Sequence, residues 1–310
     1  MKKVLFSCSL SVIFLLGGCM AMMEDKQNDN NENSETSEEE FNERYVNVNE
    51  YTGEGYRLPY GEKTDPIAQE KFAEIEEEML QFFLDEYKTE VIVHNAVGSE
   101  NGATVFVESV GKPHFHVRAK IGIDVEEREI IKNSIWTEPS RVEQGIFGGL
   151  LAMIMEEEFA ALDAYIEEVV EEHPIVGLRQ EAVNNVKATA YTTPYYFVQP
   201  MALKEEMQRI NELYFNDPNI SKEELIENFD KTAYDTERLF ITVNFYMEEE
   251  GESPDEGIFD EIVEKFNQTQ GIPRGNYAIF LSDNYINKLS ASGHQDNSLE
   301  TNDIIRDGRE

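Results

Sequence analysis

Residues 90–121 read EVIVHNAVGSENGATVFVESVGKPHFHVRAKI and set the class of fold that the rest of the chain follows. The segment 90–96 is rich in valine and isoleucine, and the segments 103–110 and 114–121 alternate apolar with polar residues. Turn-forming residues separate them, GSENG at 98–102 and GKP at 111–113. Alternation interrupted by short turns predicts three antiparallel strands in a meander.

Amphipathic helices flank this meander in the sequence. Asp65-Pro66 opens a predicted helix 66–87, whose apolar residues recur at spacings of three and four. A capping box at Ser140-Arg-Val-Glu143 opens a predicted central helix 140–172. Further helices are predicted over 178–188, 201–215, 222–230 and 254–268, and further strands over 45–48, 191–198, 238–247 and 276–282. The pattern is ambiguous between Asp124 and Pro139. The predicted fold class is therefore α+β, an antiparallel sheet packed with amphipathic helices.

The N-terminus has the layout of a bacterial lipoprotein signal. Basic Met1-Lys-Lys3 precedes the apolar run Val4–Leu16, and Leu16-Gly-Gly-Cys19 closes it. This order resembles a lipobox, whose cysteine receives a diacylglyceryl group and becomes the mature N-terminus. A plain cleaved signal is the alternative, but it has no use for Cys19. The run is too short for a bilayer core, which needs about 20 helical residues.

Composition divides the chain into four segments. Residues 1–18 are the predicted signal peptide. Residues 19–44 are predicted to be the lipidated cysteine and a disordered acidic tether, because this stretch is polar and charged and has few apolar side chains to bury. Residues 45–290 form a single predicted α+β globular domain. Residues 291–310 are predicted to be a polar C-terminal tail.

Charge and cysteine content narrow the function. The 310 residues include 63 acidic and 26 basic side chains, for a formal net charge of −37. Such a chain has no basic footprint for nucleic acid and is repelled by anionic lipid surfaces, whereas cationic partners and metal ions are attracted. The two cysteines are Cys8 and Cys19, so the mature domain has no disulfide and no thiol chemistry.

The segment Tyr51-Thr-Gly-Glu-Gly-Tyr56 continues through Arg57 to Glu62 and follows the signal and the tether. In these features the chain resembles a family of uncharacterised lipoproteins from staphylococci and related Gram-positive bacteria, catalogued as the domain of unknown function numbered 1672. The resemblance covers nearly the whole mature chain. It implies a lipoprotein on the outer side of a Gram-positive cell membrane, and it implies no catalytic residues.

Three histidines fall within the predicted meander. His114 and His116 are two residues apart on one strand and therefore share a face, and His94 lies on a neighbouring strand. Together they could ligate a metal ion, although no complete ligand set with standard spacing accompanies them. The alternative is a solvated pair on a polar strand face.

Two aromatic-rich segments, 51–60 and 191–197, are the candidate contact surfaces. Tyr51, Tyr56, Tyr195 and Tyr196 are the binding residues predicted from them, because tyrosine is enriched at interfaces. Burial in the core is the alternative explanation for each ring.

The sequence favours a binding function over catalysis. Ser109-Val-Gly-Lys112 and Ser282-Asp-Asn284 match two elements of penicillin-binding enzymes, but no Lys-Thr-Gly follows the second, and Ser109 ends a strand instead of opening a helix. We therefore expect a membrane-anchored extracytoplasmic lipoprotein that binds an envelope protein or peptide, with no cofactor besides the lipid on Cys19. A solute-binding lipoprotein and an envelope hydrolase remain the alternatives.

Overall fold

The computed structural model describes residues 38–200, 203–293 and 297–307. The described residues all belong to one compact unit, residues 38–310. The predicted signal peptide, the lipidation site at Cys19 and residues 19–37 of the predicted tether therefore lie outside the described residues.

The described chain contains both helices and strands, with more residues in helices. The helices are α1 (Glu38–Arg44), α2 (Asp65–Glu70), α3 (Phe72–Tyr87), α4 (Arg141–Ile154), α5 (Glu156–Glu172), α6 (Gln180–Val186), α7 (Lys204–Asn216), α8 (Lys222–Asn228) and α9 (Glu256–Gln268). The strands are β1 (Tyr45–Asn47), β2 (Val91–Ser99), β3 (Gly102–Ser109), β4 (His116–Asp124), β5 (Glu129–Trp136), β6 (Ile175–Val176), β7 (Tyr191–Thr192), β8 (Tyr196–Gln199), β9 (Phe240–Met247), β10 (Gly275–Ser282), β11 (Tyr285–Asn287), β12 (Ser292–Gly293) and β13 (Ser298–Arg306). The fold is α+β, which confirms the predicted class.

The predicted meander is present and has one more strand than expected. Its order is β2-β3-β4-β5, and every neighbouring pair is antiparallel. The fourth strand, β5, lies in the stretch whose sequence pattern is ambiguous. One face of this sheet packs on α3 and α4 through buried residues such as Val105, Val107 and Ile121.

A second sheet contains six strands. Its main path is β13-β10-β9-β8-β7, and β6 pairs with β9 beside that path. The β9–β10 pair is parallel, with α9 in the connection, whereas the other pairs are antiparallel. A backbone bridge between His116 of β4 and Ala190, just before β7, joins this sheet to the meander.

The C-terminal segment forms two strands, and the longer one belongs to this second sheet. We expected a polar tail after Ser290, but β12 pairs with β11 and β13 pairs with β10 along seven residue pairs. β13 is an edge strand and has one buried residue, Arg306, so its sequence lacks the apolar alternation of a strand with a buried face.

Two helices expected to be continuous are each divided. The predicted helix 66–87 is interrupted at Lys71, between α2 and α3, and the predicted helix 140–172 is interrupted at Met155, between α4 and α5. Nine of the fourteen residues of α4 are buried, which agrees with its prediction as the central helix. No helix in the described part of the chain is both long enough and apolar enough to cross a membrane.

A smaller apolar cluster forms around the N-terminal arm. Val48 and Tyr51 pack with α6 residues and with Ile286 of β11. β1 pairs with β11, so a strand near the beginning of the described chain joins two C-terminal strands in one three-stranded sheet, β1-β11-β12. The Tyr51 ring is fully buried and its hydroxyl lies 3.4 Å from the Lys288 carbonyl oxygen.

Candidate functional site

Three adjacent strands of the meander bring together a cluster of titratable side chains. Glu108 of β3 pairs directly with His116 of β4. A bulge in β2 between Val93 and Asn95 leaves His94 unpaired, and its Nε2 lies 2.7 Å from Glu108 Oε2. The Glu108 carboxylate thus lies between histidines that are far apart in the sequence.

The turn before β4 positions His114 at the same place. The Ser109 hydroxyl donates to the Pro113 carbonyl at 2.8 Å and accepts from the Phe115 amide at 2.9 Å. His114 Nδ1 then lies 3.7 Å from Glu108 Oε1. The same contacts bury Ser109 and occupy its hydroxyl, so the match to a serine nucleophile has no support in the geometry.

His116 is fully buried at the base of this cluster. Its Nε2 lies 3.1 Å from Asn184 Oδ1 on α6, which also accepts from Gln180 Nε2 at 2.7 Å. Because a carbonyl oxygen only accepts hydrogen bonds, Nε2 of His116 carries the proton and Nδ1 has a free lone pair. No described polar group pairs with that Nδ1.

Burial keeps both rings uncharged at neutral pH. It lowers the pKa of His116 to about 4, against the opposing effects of Asn184 and Glu108. Burial also lowers the pKa of His114, and the nearby Glu108 carboxylate opposes this shift. Neutral imidazoles are the form that ligates metal ions.

One atom from each of Glu108, His114 and His116 lies within 4.8 Å of the others, which is the spacing of a metal-binding cluster. The sequence prediction named His94 with the other two histidines. The structure places His94 behind Glu108, as a partner of the carboxylate. Glu108 was not identified from the sequence, because one carboxylate among 63 acidic residues has no distinguishing signal until the strand register is known.

A second candidate site is a groove over the face of the six-stranded sheet that is turned away from the core. Its volume is about 700 Å³, within the usual range of ligand sites. The lining combines hydroxyls, amides and aromatic rings. Residues that line it include Lys187, Thr193, Tyr195, Phe197, Thr242, Asn244, Phe280, Ser282 and Glu300.

The four tyrosines proposed as binding residues have different environments. Tyr51 and Tyr196 are buried, and the Tyr196 hydroxyl donates to Asp163 Oδ1 at 2.9 Å. Tyr56 is partly exposed and packs edge-on against Phe106. Tyr195 is partly exposed and lines the groove. Tyr196 also lines the groove but is buried, so Tyr195 is the more accessible of the two to a ligand there.

Lys187 adds a cationic group to the groove wall. Its Nζ donates to the Ala291 carbonyl at 2.6 Å, and among the described residues no carboxylate forms an ion pair with it. Burial lowers the pKa of this amine to about 8. An acceptor group of a ligand would therefore find an unneutralised donor here.

Comparisons with known proteins agree with this fold. The chain is similar to a crystal structure of a DUF1672 family protein from Staphylococcus aureus subsp. aureus Mu50, with a TM-score of 0.69 and 18% sequence identity over 85% of this chain and 98% of that one. At this identity the likeness concerns the fold. No curated protein matches the sequence. The model of a protein family of unknown function, DUF1672, matches residues 38–306, and the chain therefore belongs to the DUF1672 family.

Proposed function

We propose that the protein is a lipid-anchored binding protein on the extracytoplasmic face of the cell membrane, and that the groove over the six-stranded sheet holds a peptide segment. The groove is the observation that carries the binding part of this proposal. The sequence Leu16-Gly-Gly-Cys19 behind an apolar run supports the anchor. A diacylglyceryl group supplies two acyl chains, which is enough for stable membrane attachment.

The chemistry of the groove favours a peptide. Thr242 and Asn244 on β9, with Ser282 on β10, supply hydrogen-bonding groups that match the amide groups of an extended chain. Tyr195 and Phe280 supply flat apolar area between them. Alternating polar and aromatic contacts are what a peptide offers along its length.

The negative charge of the protein favours some classes of peptide over others. The chain carries a formal net charge of −37, so cationic segments are attracted over a distance of about a Debye length. Within the groove, Lys187 can meet a carbonyl or carboxylate of the ligand and Glu300 can meet a basic side chain. We therefore expect peptides that are neutral or basic overall and hydrogen-bond through their backbone.

The anchor is tested by labelling cells with an alkyne-bearing fatty acid. The full chain is expected to take up the label and to sediment with membranes, and Cys19→Ala to lose both properties. A labelled, membrane-bound Cys19→Ala variant would contradict the lipidation of Cys19. A wild-type chain found unlabelled in the medium would favour a plain secretory signal.

The groove is tested with a random pool of ten-residue peptides passed over the immobilised chain. Asn244→Arg places a long cation inside the groove. Asn276→Arg is the control. Asn276 lies on the same sheet face, four residues or about 13 Å along β10 from Phe280, the residue that pairs with Asn244. We expect wild type and Asn276→Arg to retain the same peptides and Asn244→Arg to lose at least 10-fold in retention. Equal retention by all three proteins would reject the groove as the binding site.

A further inference from the structure

The cluster in the meander points to a metal site that is separate from the groove. We propose that Glu108, His114 and His116 bind one Zn²⁺ ion. This site is independent of the proposed peptide binding. It rests first on three ligand atoms from two strands and one turn that already lie within 4.8 Å of one another.

The spacing of these atoms suits zinc. A tetrahedral ion with bonds of about 2.0–2.1 Å holds its ligand atoms roughly 3.3 Å apart. Glu108 Oε1 and His114 Nδ1 lie 3.7 Å apart, which is too long for a hydrogen bond and close to the separation across a shared ion. The His114 side chain is 35% exposed and can rotate to complete the geometry, whereas Glu108 and His116 are held by the strands.

His116 provides a second and independent observation. Its ring is fully buried, Nε2 is engaged by Asn184, and Nδ1 has no hydrogen-bond partner among the residues that the structure describes. Buried polar atoms in native proteins are nearly always paired, so an unpaired one calls for an explanation. A metal ion accepts this lone pair and leaves every polar atom of the ring satisfied.

The partners of the ligands are those that metal sites use. Histidine ligands in proteins commonly donate their second ring nitrogen to a carbonyl or carboxylate oxygen, and ligating carboxylates are themselves hydrogen-bonded. His116 donates its second ring nitrogen, Nε2, to the Asn184 carbonyl oxygen. The Glu108 carboxylate is hydrogen-bonded to His94 through Oε2, and this leaves Oε1 for the ion. His94 is thus a positioning residue and not a ligand.

The ligand types select the ion. Two imidazoles and one carboxylate disfavour Ca²⁺ and Mg²⁺, which prefer oxygen ligands, and they suit Zn²⁺ among the divalent ions. Three protein ligands leave a fourth position for water or another small ligand. The partly exposed His114 would give that position access to solvent.

The test is zinc titration of the full chain, purified in detergent without a histidine tag and stripped with a chelator. Isothermal calorimetry is compared among wild type, His114→Ala, Glu108→Gln and His173→Ala. His173 is the matched control, because its Nε2 lies 3.6 Å from a glutamate oxygen outside the cluster. Circular dichroism confirms that each variant is folded. Glu108→Gln is nearly isosteric and keeps the test available if His114→Ala does not fold.

We expect wild type and His173→Ala to bind one Zn²⁺ per chain with equal affinity, and His114→Ala and Glu108→Gln to bind at least 100-fold more weakly. Co²⁺ in the site should give the visible bands of a four-coordinate ion in wild type, and the two cluster variants should lack them. Absence of saturable zinc binding, or binding equal in all four proteins, would overturn the proposal, because dispersed surface carboxylates would then account for any metal uptake.

Discussion

Replacing Lys187 with methionine should stabilise the protein at neutral pH. The buried amine has its pKa lowered from 10.5 to about 8, and each tenfold change in proton affinity corresponds to about 1.4 kcal/mol. Keeping the charged form folded at pH 7 therefore costs about 3 kcal/mol. Methionine keeps the length of the side chain but loses the hydrogen bond to Ala291, and the groove admits some water. The net gain is thus about 1–2 kcal/mol.

The pH dependence distinguishes this cause from improved packing. Because the folded pKa is the lower one, the cost is complete below pH 8 and disappears as the pH rises through 8 toward 10.5. Urea unfolding should therefore show Lys187→Met ahead of wild type by about 1–2 kcal/mol at pH 7 and without that advantage at pH 10. Lys288→Met is the matched control, because Lys288 also donates to a backbone carbonyl but makes that hydrogen bond at an exposed position. Its effect should stay within about 0.5 kcal/mol at both pH values.

A Lys187→Met protein that is less stable than wild type at pH 7 would refute the reasoning. So would a stability difference that does not change between pH 7 and pH 10, because packing alone would then account for it.

Two further predictions concern the meander and its helices. A methyl group on Gly145 of α4 would overlap Cγ1 of Val117. Gly145→Ala should therefore lower the free energy of unfolding by about 1–3 kcal/mol. An unchanged midpoint of urea unfolding would contradict the close contact between Gly145 and Val117. Lys222 and Lys112 hold the pKa of Glu156 at about 2, so this carboxylate should add stability above pH 4.5 and lose it as the pH falls toward 2. Carboxyl NMR titration should show the pKa of Glu156 rising toward its usual value in Lys222→Met, and an unchanged titration curve would argue against the ion pair.

Local sequence patterns predicted the strands and helices that bury an apolar face. β2, β3, β4 and β9 appear within a few residues of their predicted positions, because one face of each packs against the core. β5 was not predicted, because it buries almost none of its side chains. Arg128 and Asn133 take positive φ angles at its start and middle, and only Ile130 along it is buried. The strand exists through pairing with β4, which no local pattern reveals.

The divided helices have a similar explanation. The apolar spacing continues through Lys71 and through Met155, so the sequence predicts uninterrupted helices. Both residues adopt non-helical angles, φ −98° and ψ 14° at Lys71 and φ −108° and ψ 37° at Met155. Contacts with the rest of the fold set such breaks, and they outweigh local propensity.

The candidate sites also depend on contacts between residues that are distant in the sequence. The closeness of His114 and His116 could be read from their spacing, and their rings lie 5.1 Å apart. The role of Glu108 depends on strand register, and that of Asn184 depends on where α6 packs, 68 residues further along the chain from His116. The groove is formed by strands from the whole second half of the chain. The sequence could therefore suggest Tyr195 as a binding residue because it is a tyrosine, but it could not predict which residues surround it in the groove.

The edge strand β13 has a consequence for the synthesis of the protein. Residues 298–306 are the last segment of the described chain to be made, and they cover the outer edge of β10. A product that ends before Ser298 would present the hydrogen-bonding groups of β10 to other chains, and open strand edges of this kind promote aggregation. Residues 298–306 thus keep the edge of β10 from pairing with a neighbouring molecule, and a chain in which β13 is weakened or missing would be prone to self-association.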